Sequence, residues 1–235
     1  MINHPERHFG RIAAHDLGDD RDVLYSMRLA LPPPVRLPEY RYWPNVWGPL
    51  DQGATSTCVP HALKHWMLPA PVVQTRPDRQ PFPYDVYRDL VLIDEWPDND
   101  GGALPGQSLN FGTSVRAAFK WAQHAGYVSE YRWAQNMADL SEWLLTKGPV
   151  VIGCGWFEDM MAPNVNGFID PTGTFKGGHA ACIVGHNARR GDYTILNSWG
   201  SSWGRNGRAR ISGSDLERLI FEQGGEAVAG LEVRR

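Results

Sequence analysis

Leu196-Asn197-Ser198-Trp199-Gly200-Ser201-Ser202-Trp203-Gly204-Arg205-Asn206-Gly207 is the stretch on which the reading of this 235-residue chain turns. It ends an apolar run, residues 192–197, and sets two tryptophans among glycines and polar residues. Glycine and polar side chains at that density punctuate a chain, so a strand end followed by a tight turn is expected. Outward from it, residues 149–155, 180–187 and 208–211 are further short apolar runs between glycine-rich turns, and are predicted strands. Residues 215–222 predict a short helix, and residues 227–233 a closing strand. Farther upstream the period lengthens. Residues 56–68 carry apolar Val59, Ala62, Leu63 and Trp66 at helical spacing. Pro60 is tolerated only in a first turn, so that helix begins just before it, and Pro69 and Pro71 end it. Helices are also predicted at residues 84–94, 113–125 and 138–146. The third is capped by Thr113 or Ser114 and stopped by Gly126; the last has Asp139 or Ser141 near its start. Helices fill the first half and strands the second, which argues for an α+β protein with two lobes and against an alternating βαβ sheet.

Residues 1–31 are polar and of mixed charge, and a proline run at Pro32, Pro33 and Pro34 interrupts any helix. An N-terminal arm, residues 1–31, is therefore set apart from a main domain, residues 32–235. That domain has a helical lobe at about 45–135 and a β lobe at about 136–235. Such a length buries one substantial core or two lobes.

Hydrophobic residues make up 42% of the chain and charged residues 21%, and the formal charge is −3. Basic residues are neither in excess nor clustered, which argues against nucleic acid as a partner. No apolar run approaches the roughly 18–20 residues a membrane span needs, and residues 1–10 lack the apolar stretch of a signal peptide. The expectation is a protein not exported by the common route, without membrane or nucleic-acid partners, and monomeric. Cys58, Cys154 and Cys182 are too few, and odd in number, for a disulfide framework. They fit a reducing compartment, cytoplasmic or virion-associated. Cys154 and Cys182 lie in apolar runs and read as buried small side chains.

Cys58 differs. It falls at the first turn of a predicted helix, where unpaired N–H groups and the helix dipole favour a thiolate. Gln52 precedes it across a glycine turn, so its amide can donate to a developing oxyanion together with the Cys58 backbone N–H. His179 follows Gly177 and Gly178 at the start of a predicted strand. Asn197 ends the next strand, and if the two pair, its amide can fix the tautomer of the His179 ring. Trp199 can cover that bond. A rival reading uses Cys58 with His61 and His65 as zinc ligands. It explains neither Gln52 nor the Asn197–Gly200 run, and both histidines read more simply as helix residues. His4, His8 and His15 are expected to be solvated. His186 lies an odd number of residues past His179, hence on the opposite strand face.

With these residues in place the chain resembles the papain-like cysteine peptidases, as a bacterial or phage-type member without a long inhibitory pro-region. Residues 52–58, Gln-Gly-Ala-Thr-Ser-Thr-Cys, resemble the family's oxyanion glutamine and nucleophile segment. Gly178-His179-Ala180 resembles its histidine segment, and the 196–207 stretch its Asn-Ser-Trp-Gly run. His179 stands 121 residues and Asn197 139 residues after Cys58, against a family spacing of about 130–150. Leu37-Pro38-Glu39-Tyr40 is similar to the start of mature domains. Asp100-Gly101-Gly102 is similar to a glycine pair that binds extended substrate. The likeness departs at Ser56-Thr57-Cys58-Val59, where the family has Gly-Ser-Cys-Trp. Ser56 replaces a glycine beside the oxyanion hole, and Thr55 stands where a disulfide cysteine is common.

The resemblance implies a helical N-terminal lobe, an antiparallel, barrel-like C-terminal lobe and a cleft between them. It also implies peptide or protein substrates, catalysis by Cys58, His179, Asn197 and Gln52, and substrate contacts at Gly101, Gly102, Gly178 and Trp199. Neither cofactor nor metal is expected. The alternatives are an inactive binding or scaffold protein, for which the altered 56–57 loop speaks, and a peptide ligase using the same acyl-enzyme.

Overall fold

A computed structural model describes Phe9, Arg11, Met27 and residues 36–45, 47–69, 83–94 and 112–232. The helices come largely first: α1 (Cys58–Met67), α2 (Pro83–Asp94), α3 (Val115–His124) and α4 (Met137–Thr146), with α5 (Gly213–Glu217) late in the chain. The strands are β1 (Tyr40–Tyr42), β2 (Val128–Trp133), β3 (Val150–Phe157), β4 (Phe175–Asn187), β5 (Asp192–Leu196), β6 (Arg208–Ser212) and β7 (Glu226–Glu232). All seven join one antiparallel sheet, in the order β2-β7-β3-β4-β5-β6, with β1 on the far end of β4. The α+β class expected from the sequence is the class observed. β2 falls in the range assigned to the helical lobe. It is hydrogen-bonded into the sheet through β7, while its Tyr131 and Trp133 pack with the helices.

Alternation along the strands divides the core in two. On one face Val151, Ala180, Cys182, Val184, Leu196 and Val228 meet the apolar stripes of α1, α2 and α3. On the other, Ile152, Trp156, Ala181, Ile183 and Ile195 meet α4, α5 and the tryptophans at 199 and 203. Tryptophans serve as the large filler: Trp66, Trp143, Trp156, Trp199 and Trp203 are all fully buried.

The caps show why the helices start where they do. Ser114 Oγ accepts from Ala117 N at 3.0 Å, and Asp94 in turn accepts from Ser114 and from the Thr113 hydroxyl. So Ser114 caps α3, and the terminal carboxylate of α2 locks that cap in place. Gly126, at φ +75, ends it. For α4 the cap is Asn136, whose Oδ1 accepts from Asp139 N at 2.9 Å; Asp139 sits in the first turn as the receiver. Among the described residues no helix is long and apolar enough to cross a membrane.

Candidate active site

The start of α1 is assembled by the loop before it. Asp51 bridges to Trp199, Gln52 N donates to Ser198 O at 2.8 Å, and Gly200 N donates to Leu50 O at 3.0 Å. The segment that leads into α1 is therefore zipped to the turn that follows β5. Cys58 is the first residue of α1, where its backbone N–H lies ahead of the helical ladder. Pro60 falls in the same first turn, at the third helical position, and costs no helical bond there. Thr57 occupies the N-cap without a side-chain cap bond. Its hydroxyl instead shares a 2.7 Å hydrogen bond with the Thr55 hydroxyl.

His179 sits on β4, against which α1 packs. Cys58 shares a core cluster with Ala180, the next residue along that strand. β4 lies beside β5, and Asn197 follows directly on β5, which brings the amide to the ring: His179 Nε2 and Asn197 Oδ1 are 2.8 Å apart. Which atom carries the proton follows from one more bond. Asn197 Oδ1 also receives the backbone N–H of Ser198 at 2.8 Å. A backbone N–H can only donate, so the amide atom there is the oxygen, and His179 Nε2 must be the ring's N–H. In the neutral ring Nδ1 is then the basic nitrogen. Trp199 at 5.0 Å and Trp156 at 4.6 Å between ring centroids enclose the imidazole and keep water from its bond to Asn197.

The same donor logic orients Gln52. Its Nε2 donates to Thr55 O at 2.7 Å, and its Oε1 accepts from Ser198 Oγ at 2.7 Å. The amide is fully buried and held at both ends. An amide nitrogen carries two hydrogens, and Thr55 takes one of them.

The other thiols are chemically quiet. Burial pushes Cys154 up to about 12, with Cys58 and Glu226 adding to the effect and Arg11 opposing it; burial raises Cys182 as well. Each histidine of the zinc alternative has one ring nitrogen bonded to the backbone, and among the described residues the other ring nitrogen is not brought to a set of ligands. His61 Nδ1 is 2.7 Å from Thr57 O, and His65 Nε2 accepts from Leu50 N at 2.9 Å. No group of three ligating side chains converges among the described residues.

One expectation is corrected. β4 carries an extra residue between Ile183 and Gly185 relative to β5, and this bulge flips the alternation. His186 therefore stacks on Tyr193, ring centroids 4.1 Å apart, on the same sheet face as His179. Its Nδ1 is 3.1 Å from Asp192 O, so it is still not part of the site.

Two residues of the N-terminal arm, Phe9 and Arg11, lie against this site, which the sequence did not reveal. Phe9 meets His179 edge-on at 5.9 Å and Trp199 at 6.2 Å. Arg11 N donates to Gly178 O at 3.0 Å, and Arg11 forms a parallel bridge with Thr113. At Gly178 a Cβ would lie 2.2 Å from Arg11 O, so only glycine lets a backbone run this close. Trp199, expected to contact substrate, is 1% exposed, and both Cys58 and His179 are 0% exposed. Gly101 and Gly102, like His4, His8 and His15, lie outside the described residues. Arg11 and Glu226, joined by a buried ion pair, were missed as well, since β7 carries a glutamate at each end and nothing in the sequence sets Glu226 apart from Glu232.

A helix that begins at a cysteine, packed on a strand bearing a histidine tied to an asparagine amide, is the architecture of the papain-like proteins. Residues 99–221, just over half of the chain, match the model of the papain family of cysteine proteases, and the chain belongs to that family. An uncharacterized peptidase C1-like protein of Acanthamoeba polyphaga mimivirus is 23% identical over 208 residues, covering 70% of this chain and 64% of its own. Cathepsin B-like cysteine proteinase 3 of Ostertagia ostertagi is 31% identical over 110 residues, 44% of this chain and 63% of that protein. The chain thus spans less than two thirds of the length of these relatives. Among solved structures, xylellain, a cysteine protease from Xylella fastidiosa, superposes with a TM-score of 0.68 at 18% identity, covering 98% of this chain and 99% of that one. Digestive procathepsin L2 from Tenebrio molitor gives 0.59 at 19% identity, covering 96% and 78%. At these identities the likeness is one of fold.

Proposed function

We propose that this protein is a cysteine peptidase that cleaves peptide bonds through an acyl-enzyme on Cys58. The observation that carries the reading is the His179 Nε2–Asn197 Oδ1 bond, which leaves Nδ1 as the base of a ring carried on the strand against which α1 packs. In this reading His179 Nδ1 takes the proton of the Cys58 thiol, and the thiolate forms a C–S bond to the substrate carbonyl carbon. The oxygen becomes an oxyanion and accepts from the Cys58 backbone N–H and from Gln52 Nε2–H. The imidazolium gives its proton to the amide nitrogen as the C–N bond breaks, and the amine leaves. Water then attacks the thioester while His179 takes its proton. The C–S bond breaks, the acid departs, and the proton returns to Cys58.

The fixed tautomer, the pre-held Gln52 amide and membership of the family all support hydrolysis over a purely scaffolding role. Ser56 in place of glycine is compatible with it, because Gln52 is tethered by Thr55 and Ser198 and does not depend on residue 56 for its position.

The test is the intact mass of the full chain after exposure to an epoxysuccinyl peptide, followed by peptide mapping. It is run on the wild type and on Phe9→Ala, whose arm is loosened. One adduct at Cys58, with Cys154 and Cys182 unmodified, is expected. Absence of a Cys58 adduct in both proteins would overturn the reading.

A further inference from the structure

Two histidines on α1 hold the loop that carries Gln52. His65 Nε2 accepts from Leu50 N at 2.9 Å, where that loop begins, and His61 Nδ1 lies 2.7 Å from Thr57 O, where it ends. A carbonyl oxygen only accepts, so His61 Nδ1 carries the hydrogen and donates. Burial holds this ring at about 4 instead of 6.5, so near neutral pH it has one N–H, and Thr57 O receives it. His61 is 2% exposed. Burying an imidazole is costly unless its polar atoms are bonded, and an apolar side chain would fill the same helix position without that cost.

Thr57 O already has a helical partner, because the His61 backbone N donates to it at 3.2 Å. The ring takes the second lone pair of that oxygen, so the helical ladder does not depend on it. What the ring does reach is the peptide group beside the nucleophile. Thr57 C=O and Cys58 N–H belong to one planar unit and point in opposite directions. A donor fixed on the oxygen therefore fixes the direction of the N–H. It also draws electron density to the oxygen, which makes the N–H a stronger donor. That N–H lies ahead of the helical ladder and is one of the two donors assigned above to the oxyanion. Tyr84, on α2, braces the arrangement. It meets the His61 ring edge-on at 5.4 Å, and its hydroxyl lies 3.4 Å from the carbonyl of Gln52, the residue that supplies the other donor.

We infer that His61 is a positioning residue of the oxyanion hole, acting on the Cys58 N–H through the Thr57 carbonyl. The inference rests on the peptidase reading above and adds a residue to that same site. A histidine that merely filled the helix face would affect stability without separating one reaction of Cys58 from another.

The experiment compares two such reactions in the full chain. Hydrolysis of a fluorogenic peptide amide passes through an oxyanion. Alkylation by iodoacetamide displaces iodide at a saturated carbon and forms none. Thiolate formation and access past Phe9 and Arg11 enter both, so the ratio of the two rates isolates the hole. His61→Phe keeps a ring and removes the N–H. Its kcat/KM should fall about tenfold while alkylation stays within about twofold of the wild type. His61→Asn, whose amide nitrogen can stand in for Nδ1, should recover most of that loss. A parallel fall in both reactions, an unchanged kcat/KM in His61→Phe, or His61→Asn no better than His61→Phe would each overturn the inference. Nitrogen NMR of the wild type needs no variant to fold: the hydrogen of the neutral His61 ring is expected on Nδ1, and finding it on Nε2 overturns the inference as well. Hydrolysis indifferent to His61 removes only this inference. No hydrolysis of any peptide by the wild type, together with no Cys58 adduct, removes the peptidase reading and this inference with it.

Discussion

The His179 ring donates from Nε2 to Asn197 Oδ1, and that acceptor is itself fixed by the Ser198 N–H. Asn197→Ala removes the orientation and leaves the nucleophile. The expected loss is about 10²-fold in kcat/KM, smaller than for Cys58→Ala, and equal losses would contradict this division of roles. Two other histidines govern stability in acid. Burial holds His61 at about 4 and His65 at about 3 instead of 6.5. For His61 the Thr57 carbonyl and Asp51 work against burial, and Lys64 works with it. For His65 the neighbouring His61, Arg208 and Lys64 all reinforce it. The unfolded chain binds more protons than the folded one from about 6.5 down to these values. Stability is therefore full above about pH 7 and is lost as pH falls, by roughly 3 kcal/mol for His61 and roughly 5 kcal/mol for His65 at the acid end. Urea titrations at about pH 7 and pH 5 should show a smaller difference for His65→Gln, whose amide can still accept from Leu50 N, than for the wild type. An unchanged difference would sink the assignment. That Cys58, His179, Asn197 and Gln52 belong to one candidate site was legible because each carries its signal in its own few neighbours. Arg11 and Glu226 were not, because their meaning lies in a contact across 215 residues.

At the scale of elements, most of the secondary structure follows from local chemistry. α1 starts where Pro60 requires, α3 is capped by Ser114, and β3 to β7 lie close to the apolar runs that predict them. What escaped was decided by pairing. β1 is three residues of Tyr-Arg-Tyr, made a strand only by β4. β2 carries Glu130 and Arg132, which pair with each other at 2.7 Å and mask the period of a half-buried strand. The bulge that turns His186 back to the His179 face leaves no mark in the residue pattern, since Val184 is as apolar as its neighbours. The cap of α4 can be tested in isolation. Asn136→Ala removes the oxygen that satisfies Asp139 N, and should cost about 1 kcal/mol in urea unfolding. Rates at saturating substrate should not change, because the lost bond lies at the start of α4, whereas the bonds that orient His179, Asn197 and Gln52 run among residues 52–55 and 197–198. A change in kcat would show that α4 is coupled to the site through the core it shares with Trp156 and Trp199.

The whole molecule joins two cores on opposite faces of one sheet. The site lies where the start of α1 meets β4, where described residues from the helices, the 196–207 turn and the N-terminal arm come together. The sequence marked residues 1–31 as separate but not where Phe9 and Arg11 lie, because such contacts are placed by their partners and not by a period of their own. Here Phe9 lies edge-on to His179 and Trp199, Arg11 lies along Gly178, and the reactive groups are buried. If Phe9 and Arg11 must withdraw before a reagent reaches Cys58, the rate of reaction there is the intrinsic rate scaled by the open fraction. Phe9 is half-buried, and its ring contributes on the order of 1.4 kcal/mol to the closed state, which is about a tenfold bias. Phe9→Ala in the full chain should therefore raise the rate of Cys58 alkylation by a small reagent such as iodoacetamide by about tenfold. Labelling of Cys154 and Cys182 should not change, since their burial owes nothing to that ring. Acceleration confined to Cys58 would mark the arm as the gate of this one site. Equal acceleration at all three cysteines would mean that the ring merely supports the fold, and an unchanged Cys58 rate would mean that it does not control access at all.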